Sequence, residues 1–205
     1  MQHDRMRRVL AAFSLAVLWT VGVARLEAGS EPQTLKIDPQ HSNVGFQVRH
    51  IFTNVSGRFR DFEGTLRFDE ANPAASTVEV TIKAASIDTS VEARDKDLRS
   101  AKFFEVEKYP TLSFKSSAVQ PHGEKKAKIK GTLTMHGVSK EVVLDAEYLG
   151  KLKDPWGNLR YGFHAETSID RRDFGLTWNE ALEAGAVLVG EKVQILLDVE
   201  GIPAK

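Results

Sequence analysis

Side chains that commonly carry out chemistry in proteins are sparse in this sequence of 205 residues. It contains no Cys, and none of its six His belongs to an HxH or HExxH pattern. Without Cys there can be no disulfide, no thiolate metal site and no cysteine nucleophile. The sequence also lacks the GxSxG, GxGxxG and glycine-rich phosphate-loop patterns. We therefore predict no catalytic residue and no metal site.

Four polar residues stand out by their positions. Arg94, Asp95 and Arg99 lie in a segment with helical character, and His50 ends a strand in phase with its apolar residues. One interpretation is a structural ion-pair cluster that fixes the helix to the rest of the fold. The alternative is a direct role, either at the head group of a ligand or as general acid and base in an enzyme.

The first 28 residues have the features of an export signal. Arg5, Arg7 and Arg8 precede an uncharged run over residues 9–24. That run is shorter than the roughly 20 residues that a membrane-spanning helix needs. We predict a cleaved signal peptide over residues 1–28, with cleavage after Ala24 or Ala28, and a periplasmic location. An uncleaved anchor is the alternative.

From residue 35 onward the dominant hydrophobic period is two, which is typical of half-buried strands. The alternation predicts about eight strands separated by turn residues, one of the turns falling at residues 54–57. Antiparallel strands with one apolar face hide that face and their edges by closing into a barrel. A two-sheet sandwich remains an alternative. The fold class predicted is all-β, an eight-stranded antiparallel barrel, within one domain over residues 34–203.

One segment departs from this period. Thr89 and Glu92 have capping-box spacing, and the residues that follow favour helix, so we predict a single short helix at about residues 90–100. The charged run from Arg171 to Asp173 is interpreted as a solvated rim of the barrel.

The inward face of the strands is rich in Phe, and an eight-stranded barrel can either be filled by its own side chains or hold one slender ligand. Gly64, Gly131, Ala146 and Ala165 fall in the inward phase. They either leave room along the axis or relieve crowding where the sheet bends.

Charge bears on the class of partner. The 28 basic and 28 acidic residues give a formal charge of zero and a pI near 7.0. This balance argues against nucleic acid as a partner, because phosphate binding calls for a basic surface.

Several motifs together resemble the YceI-like family of lipocalin-like, polyisoprenoid-binding proteins. The most specific is the central run of Ser86 to Thr89, Arg94 to Ser100, Phe103-Phe104 and Tyr109-Pro110. The sequence also matches at residues 37–42, 57–64 and 131–138, although His136 stands where the family often has Asn or Arg.

The resemblance implies a barrel whose apolar pore holds an isoprenoid or fatty-acyl lipid without covalent attachment, in a periplasmic carrier that is not an enzyme. No later stretch of the sequence approaches membrane-spanning length, so we predict no stable membrane insertion once the signal is removed, and a homodimer is left open. A filled barrel with a role in stress is the other alternative. Residues expected to line the pore are Phe46, Val48, Phe59, Phe62, Leu66, Phe68, Val80, Ile82, Leu98, Phe103, Leu112, Phe114, Leu133, Met135, Phe163, Ile169, Trp178, Ile195 and Leu197.

Overall fold

Alternating apolar and polar residues form antiparallel strands along most of the chain in the computed structural model, which describes residues 31–181 and 187–204. The predicted signal peptide lies outside this part. One α-helix, α1 (Glu92–Arg99), follows the sixth strand. The strands are β1 (Gln33–Ile37), β2 (Asn43–His50), β3 (Thr53–Phe59), β4 (Phe62–Phe68), β5 (Thr77–Lys83), β6 (Ile87–Asp88), β7 (Thr111–Pro121), β8 (Lys126–Met135), β9 (Val138–Lys153), β10 (Leu159–Asp170) and β11 (Val189–Pro203).

Eight of these strands close into a ring in the order β1, β4, β5, β7, β8, β9, β10 and β11. Closure occurs because β1 pairs with both β4 and β11, with Leu35 opposite Leu66 on one side and Pro203 on the other. Leu35 is fully buried at this seam. The predicted all-β fold, an eight-stranded antiparallel barrel with a short helix, is confirmed.

Three further strands extend the sheet as a branch. β2 pairs with the first part of β11, β3 pairs with β2, and β6 pairs with β3. The predicted turn at residues 54–57 is wrong, since these residues lie within β3 and the chain reverses at Ile51 and Phe52 instead. Gly57 fits the strand because the ring of Phe46 occupies the space beside it that a side chain would need.

The helix is present, but the predicted capping box is wrong. Val91 is the N-cap residue, and no side chain caps the helix. Thr89 is buried and bonds to Asp95 instead, through both its backbone N–H and its hydroxyl. A buried carboxylate that accepts two hydrogen bonds therefore fixes the start of the helix.

The strand registers define two ends of the barrel. The helix end carries α1, the connector of residues 100–110 and the 3₁₀ helix Arg171–Phe174. The hairpin end carries the loops of residues 69–76 and 122–125 and the β9–β10 hairpin at residues 154–158. Within the described residues, no helix is long and apolar enough to cross a membrane.

Candidate functional site

The barrel encloses an apolar cavity of about 260 Å³ that extends from the helix end into its interior. At the helix end it is bounded by Leu98 of α1, by Phe103 and Phe104 of the connector and by Leu176. Phe104 packs edge-on against Phe59, with ring centroids 5.8 Å apart. The predicted barrel therefore has internal space and is not completely filled by its own side chains.

Seventeen of the nineteen residues expected at the pore line this cavity, and Phe68 and Trp178 do not. Trp178 lies outside it and packs on Phe103, with centroids 5.1 Å apart. Phe68 points inward as its strand phase requires, but it lies at the end of β4 and lines a second cavity. Alternation along a strand predicts the direction of a side chain but not its depth along the barrel axis. Further residues of the same phase line the main cavity as well, among them Ile37, Val44, Val78, Val142, Leu144, Val193 and Val199.

The inward glycines relieve crowding rather than widen the channel. A Cβ on Gly131 would lie 2.5 Å from Cζ of Phe114, and a Cβ on Gly64 would lie 2.7 Å from Cδ1 of Ile37. Neighbouring side chains therefore already fill the space that these glycines leave. Ala146 and Ala165, by contrast, do line the main cavity.

The second cavity, about 250 Å³, lies at the hairpin end. It adjoins the main cavity, since five residues, one each from β4, β5, β8, β9 and β10, line both. These shared residues are Leu66, Val78, Ile129, Ala146 and Phe163. The barrel therefore contains two adjacent compartments with a common apolar waist.

Aromatic rings mark the boundary of the second cavity. Phe68 packs against Tyr148, Tyr161 and Phe163, at centroid distances of 4.8, 6.1 and 5.2 Å. Tyr148 also lines the second cavity, and its hydroxyl oxygen is buried. Burial raises the pKa of Tyr148 to about 12, and the nearby carboxylate of Glu70 adds to the rise. Tyr148 is in phase with Leu144 and Ala146 of β9 but is not among the residues predicted to line the pore.

The polar cluster of His50, Arg94, Asp95 and Arg99 lines neither cavity. Arg94 donates to the hydroxyl and carbonyl oxygens of Thr89, at 2.7 and 2.9 Å. Arg99 donates to the carbonyl oxygens of Ala85 and Ile87. These bonds tie α1 to the chain that precedes it.

Within the part of the chain that the structure describes, no ion pair joins Asp95 to Arg94 or Arg99. Arg99 makes its ion pair with Glu92 rather than with Asp95. Among the described residues, no hydrogen bond or ion pair links His50 to Arg94 or Asp95, and His50 lies at the far end of β2. Arg94, Asp95 and Arg99 thus all bond to the segment that precedes α1, whereas His50 lies apart from them.

Arg171 is a buried residue that the sequence interpretation missed. It was expected on a solvated rim with Arg172 and Asp173, yet it is 4% exposed and borders the main cavity. Its guanidinium donates to the carbonyl oxygens of Leu176, Trp178, Val189 and Gly190. Burial lowers its pKa, but an arginine stays protonated at any physiological pH. Arg171 therefore anchors the loop that follows β10 at the helix end.

A group of side chains near the hairpin end has the composition of a metal site. Ligand atoms of Asp38, His41 and Glu200 lie within 4.8 Å of one another. Arg160, however, places its Nη1 atom 2.7 Å from Asp38 and 3.0 Å from Glu200. A cation already bonded to both carboxylates makes this arrangement an ion-pair network that joins β1, β10 and β11.

The sequence model of the YceI-like domain matches residues 35–201. A UPF0312 protein of Photorhabdus laumondii is 41% identical over 190 residues, an alignment that covers 91% of this chain and 95% of that protein. The expected resemblance to the family is confirmed by these matches.

Solved structures of the same fold are also similar. A Campylobacter jejuni YCEI protein is 33% identical with a TM-score of 0.66, and the match covers 77% of this chain and 90% of that one. A polyisoprenoid-binding domain from Saccharophagus degradans is 16% identical with a TM-score of 0.61, covering 85% and 100% of the two chains. From the domain match and the identity across almost the whole length, the chain belongs to the YceI-like family.

Proposed function

We propose that this protein is a periplasmic binding protein that holds a polyisoprenoid or another long-chain amphiphile inside its barrel. The observation that supports the proposal is the pair of adjacent cavities, with a lining at the waist made only of apolar side chains. Each methylene group transferred from water to such a site contributes about 0.8 kcal/mol. The similar fold of a domain named for polyisoprenoid binding supports the same class of ligand.

Binding is favoured over catalysis by the geometry of the polar residues. An acid–base pair must reach a reactive ligand atom at hydrogen-bonding distance. Arg94 and Asp95 are instead both bonded to Thr89, and neither borders a cavity. We therefore assign these residues a structural role.

The test is native mass spectrometry of gently purified protein, followed by organic extraction and identification of any released lipid. The expected result is an adduct of one lipid class. Protein that stays ligand-free after incubation with polyprenyl and acyl lipids would contradict the proposal and favour a filled barrel.

Ala146→Phe sharpens this test because Ala146 lines both cavities. A ring at this position fills the waist, so we expect a long-chain lipid to bind at least about tenfold more weakly, or about 1.4 kcal/mol. The matched control is Val143→Phe on the outer face of the same strand, where the side chain is 41% exposed. Both variants are first checked for a cooperative thermal transition. Equal affinities of the two folded variants would show that the ligand does not pass the waist.

A further inference from the structure

The β9–β10 hairpin exposes a group of large apolar side chains near its turn. Leu149, Leu152 and Trp156 are 58, 67 and 82% exposed, and all three lie in the segment of residues 149–160, which we call the hairpin tip. Single exposed apolar residues are common on soluble proteins, whereas a group of them is typical of a surface that binds a partner. The hairpin tip is therefore a candidate docking surface.

An irregularity in the strand pairing brings the two leucines to the same face of the hairpin. Leu149 is an extra residue of β9, at the point where the pairing with β10 shifts between Gly162 and Phe163. Such a β-bulge displaces the alternation of side chains by one position. Leu152 consequently faces away from the barrel interior, as Leu149 does.

Hydrogen bonds hold the turn that carries Trp156. The carboxylate of Asp154 accepts from the backbone N–H groups of Trp156 and Asn158, at 3.0 and 2.8 Å, and from Nε of Arg160, at 3.1 Å. Because these bonds already fix the backbone of the turn, binding through Trp156 requires little further ordering of the chain.

The second cavity ends beside the hairpin tip. Tyr148, which lines this cavity, immediately precedes Leu149, and exposed residues of two neighbouring loops, Glu70 and Gly123, form part of the same lining. Lys151 joins the tip to the first of these loops through its ion pair with Glu70, at 2.5 Å. A partner bound at the tip therefore lies close to one end of the proposed lipid site.

The charges around the tip and the second cavity leave a small positive excess. Within the described residues, Arg67, Lys125 and Lys153 belong to no ion pair, against Asp69 and Glu124 among the acidic side chains. The other charged side chains of the tip are paired with one another or with neighbouring strands and loops. One unbalanced positive charge attracts anionic head groups, but it contributes less to binding than the burial of three large apolar side chains.

We propose that the hairpin tip docks on the surface of a phospholipid bilayer. Trp156 then lies at the level of the head groups, where its ring keeps an apolar body and a hydrogen-bond donor in suitable surroundings, and the two leucines contact the acyl chains. Docking is peripheral and reversible. It allows a long-chain lipid to pass between the bilayer and the second cavity with little exposure of its methylene groups to water. This inference rests on the proposed function and adds the surface through which the ligand is exchanged.

The test is co-sedimentation with vesicles of phosphatidylcholine alone and of equal parts phosphatidylcholine and phosphatidylglycerol. We expect the wild type to bind both, and the anionic vesicles about fivefold more tightly. The double variant Leu152→Ser, Trp156→Ser should bind both at least about tenfold more weakly. The matched control is Phe52→Ser. Phe52 is 85% exposed in the β2–β3 turn, which bonds to Leu188 before β11 and so lies far from the hairpin tip, and its loss should leave vesicle binding unchanged.

Quenching of tryptophan fluorescence by brominated phosphatidylcholine shows which face meets the bilayer. We expect wild-type fluorescence to be quenched and the quenching to be largely lost in Trp156→Phe, which keeps an apolar ring at the tip. In Trp178→Phe the quenching should persist, because Trp178 packs on Phe103 at the helix end. Quenching that survives in Trp156→Phe would place another face against the bilayer and overturn the assignment.

Displacement of a fluorescent lipid from the protein in solution separates this inference from the proposed function. If the wild type binds lipid in solution but no vesicles, or if the double variant sediments with vesicles as the wild type does, the docking surface is overturned and the binding function stands. A wild type that binds vesicles at the tip but no lipid in solution would support the docking surface and refute the proposed function. Sedimentation velocity without lipid covers the remaining occupant: a wild-type dimer that the double variant dissociates would make the tip an interface between copies and overturn the proposal. All variants are first checked for a cooperative thermal transition.

Discussion

The two ends of the barrel use polar side chains in different ways. At the helix end, Arg171 and Asp95 are each at most 4% exposed, and their hydrogen bonds go to other groups of the protein. At the hairpin end, Arg160 forms a network of partly buried ion pairs with the carboxylates of Asp38, Asp154 and Glu200. The buried charges of the helix end are therefore satisfied by uncharged backbone and hydroxyl groups, whereas Arg160 at the hairpin end is satisfied by opposite charges.

Of the changes that test this difference, Arg171→Met should lower the free energy of unfolding most. The change leaves several carbonyl oxygens at the helix end without a donor, and each unpaired buried group costs about 1–3 kcal/mol. We expect the free energy of unfolding, measured by urea denaturation, to fall by about 3 kcal/mol or more. Arg172→Met is the matched control. Its ion pairs with Asp170 and Glu191 are exposed to water and should contribute little to the free energy of unfolding, so equal losses would contradict the assigned role of Arg171.

Thr89→Val tests the hydrogen bonds that hold the start of α1, and it should lower the free energy of unfolding less than Arg171→Met does. The substitution removes the hydroxyl that donates to Asp95 and accepts from Arg94. We expect a loss of about 2 kcal/mol in the free energy of unfolding, again from urea denaturation. Thr89→Ser keeps the hydroxyl and should retain most of the stability. Lipid affinity should not change in either folded variant, and a selective loss of binding in Thr89→Val would instead indicate a role at the ligand.

The ion pairs at the hairpin end should make the free energy of unfolding depend on pH in the acid range. Desolvation opposes the ionised form of Asp154, but hydrogen bonds from Asn158 and Arg160 outweigh it and hold the pKa at about 2. In an unfolded chain the pKa of Asp is about 3.9. A carboxyl group with a lowered pKa stabilises the fold above pH 4, and this contribution is lost as the pH falls toward 2.

Arg160→Met should therefore reduce the loss of stability between pH 4 and pH 2. Without the guanidinium, the pKa of Asp154 in the folded protein lies closer to its value in the unfolded chain, so protonation of Asp154 destabilises the fold less. The measurement is urea denaturation at pH 7, 4 and 2.5, together with an NMR titration of Asp154. Asn158 still donates to the carboxylate in the variant, so part of the lowered pKa should persist. An acid dependence equal to that of the wild type would show that Arg160 is not its source.

The strands were predictable where the alternation is strict, and this period also identified most of the cavity lining. Val44, Phe46 and Val48 of β2 all line the main cavity. β3 was missed because Asn54, Ser56 and Gly57 are typical of turns, and pairing with β2 overrides that local preference. The depth of Phe68 along the axis depends on strand length and register, neither of which the period of two determines.

The polar part of the site was less predictable. Arg171 and Arg172 are adjacent and chemically identical, yet a 3₁₀ turn buries one and leaves the other at the surface. No local pattern distinguishes them. Tyr148 continues the inward phase of Leu144 and Ala146, so a signal for its direction was present. That its hydroxyl is buried beside Glu70 depends on the side chains that surround it in three dimensions.

The pairing of β11 has a consequence for the order of folding. This strand of 15 residues forms bridges with β10, β1 and β2, and its last residues pair with Leu35 and Ile37 near the beginning of the described chain. A nascent chain that still lacks this strand has three strand edges without a partner, so the barrel cannot close during most of its synthesis. Contacts of such wide sequence separation form slowly. The protein should consequently reach its native state only after its C-terminal residues have become available, and deletion of β11 should abolish the cooperative fold rather than shorten the barrel.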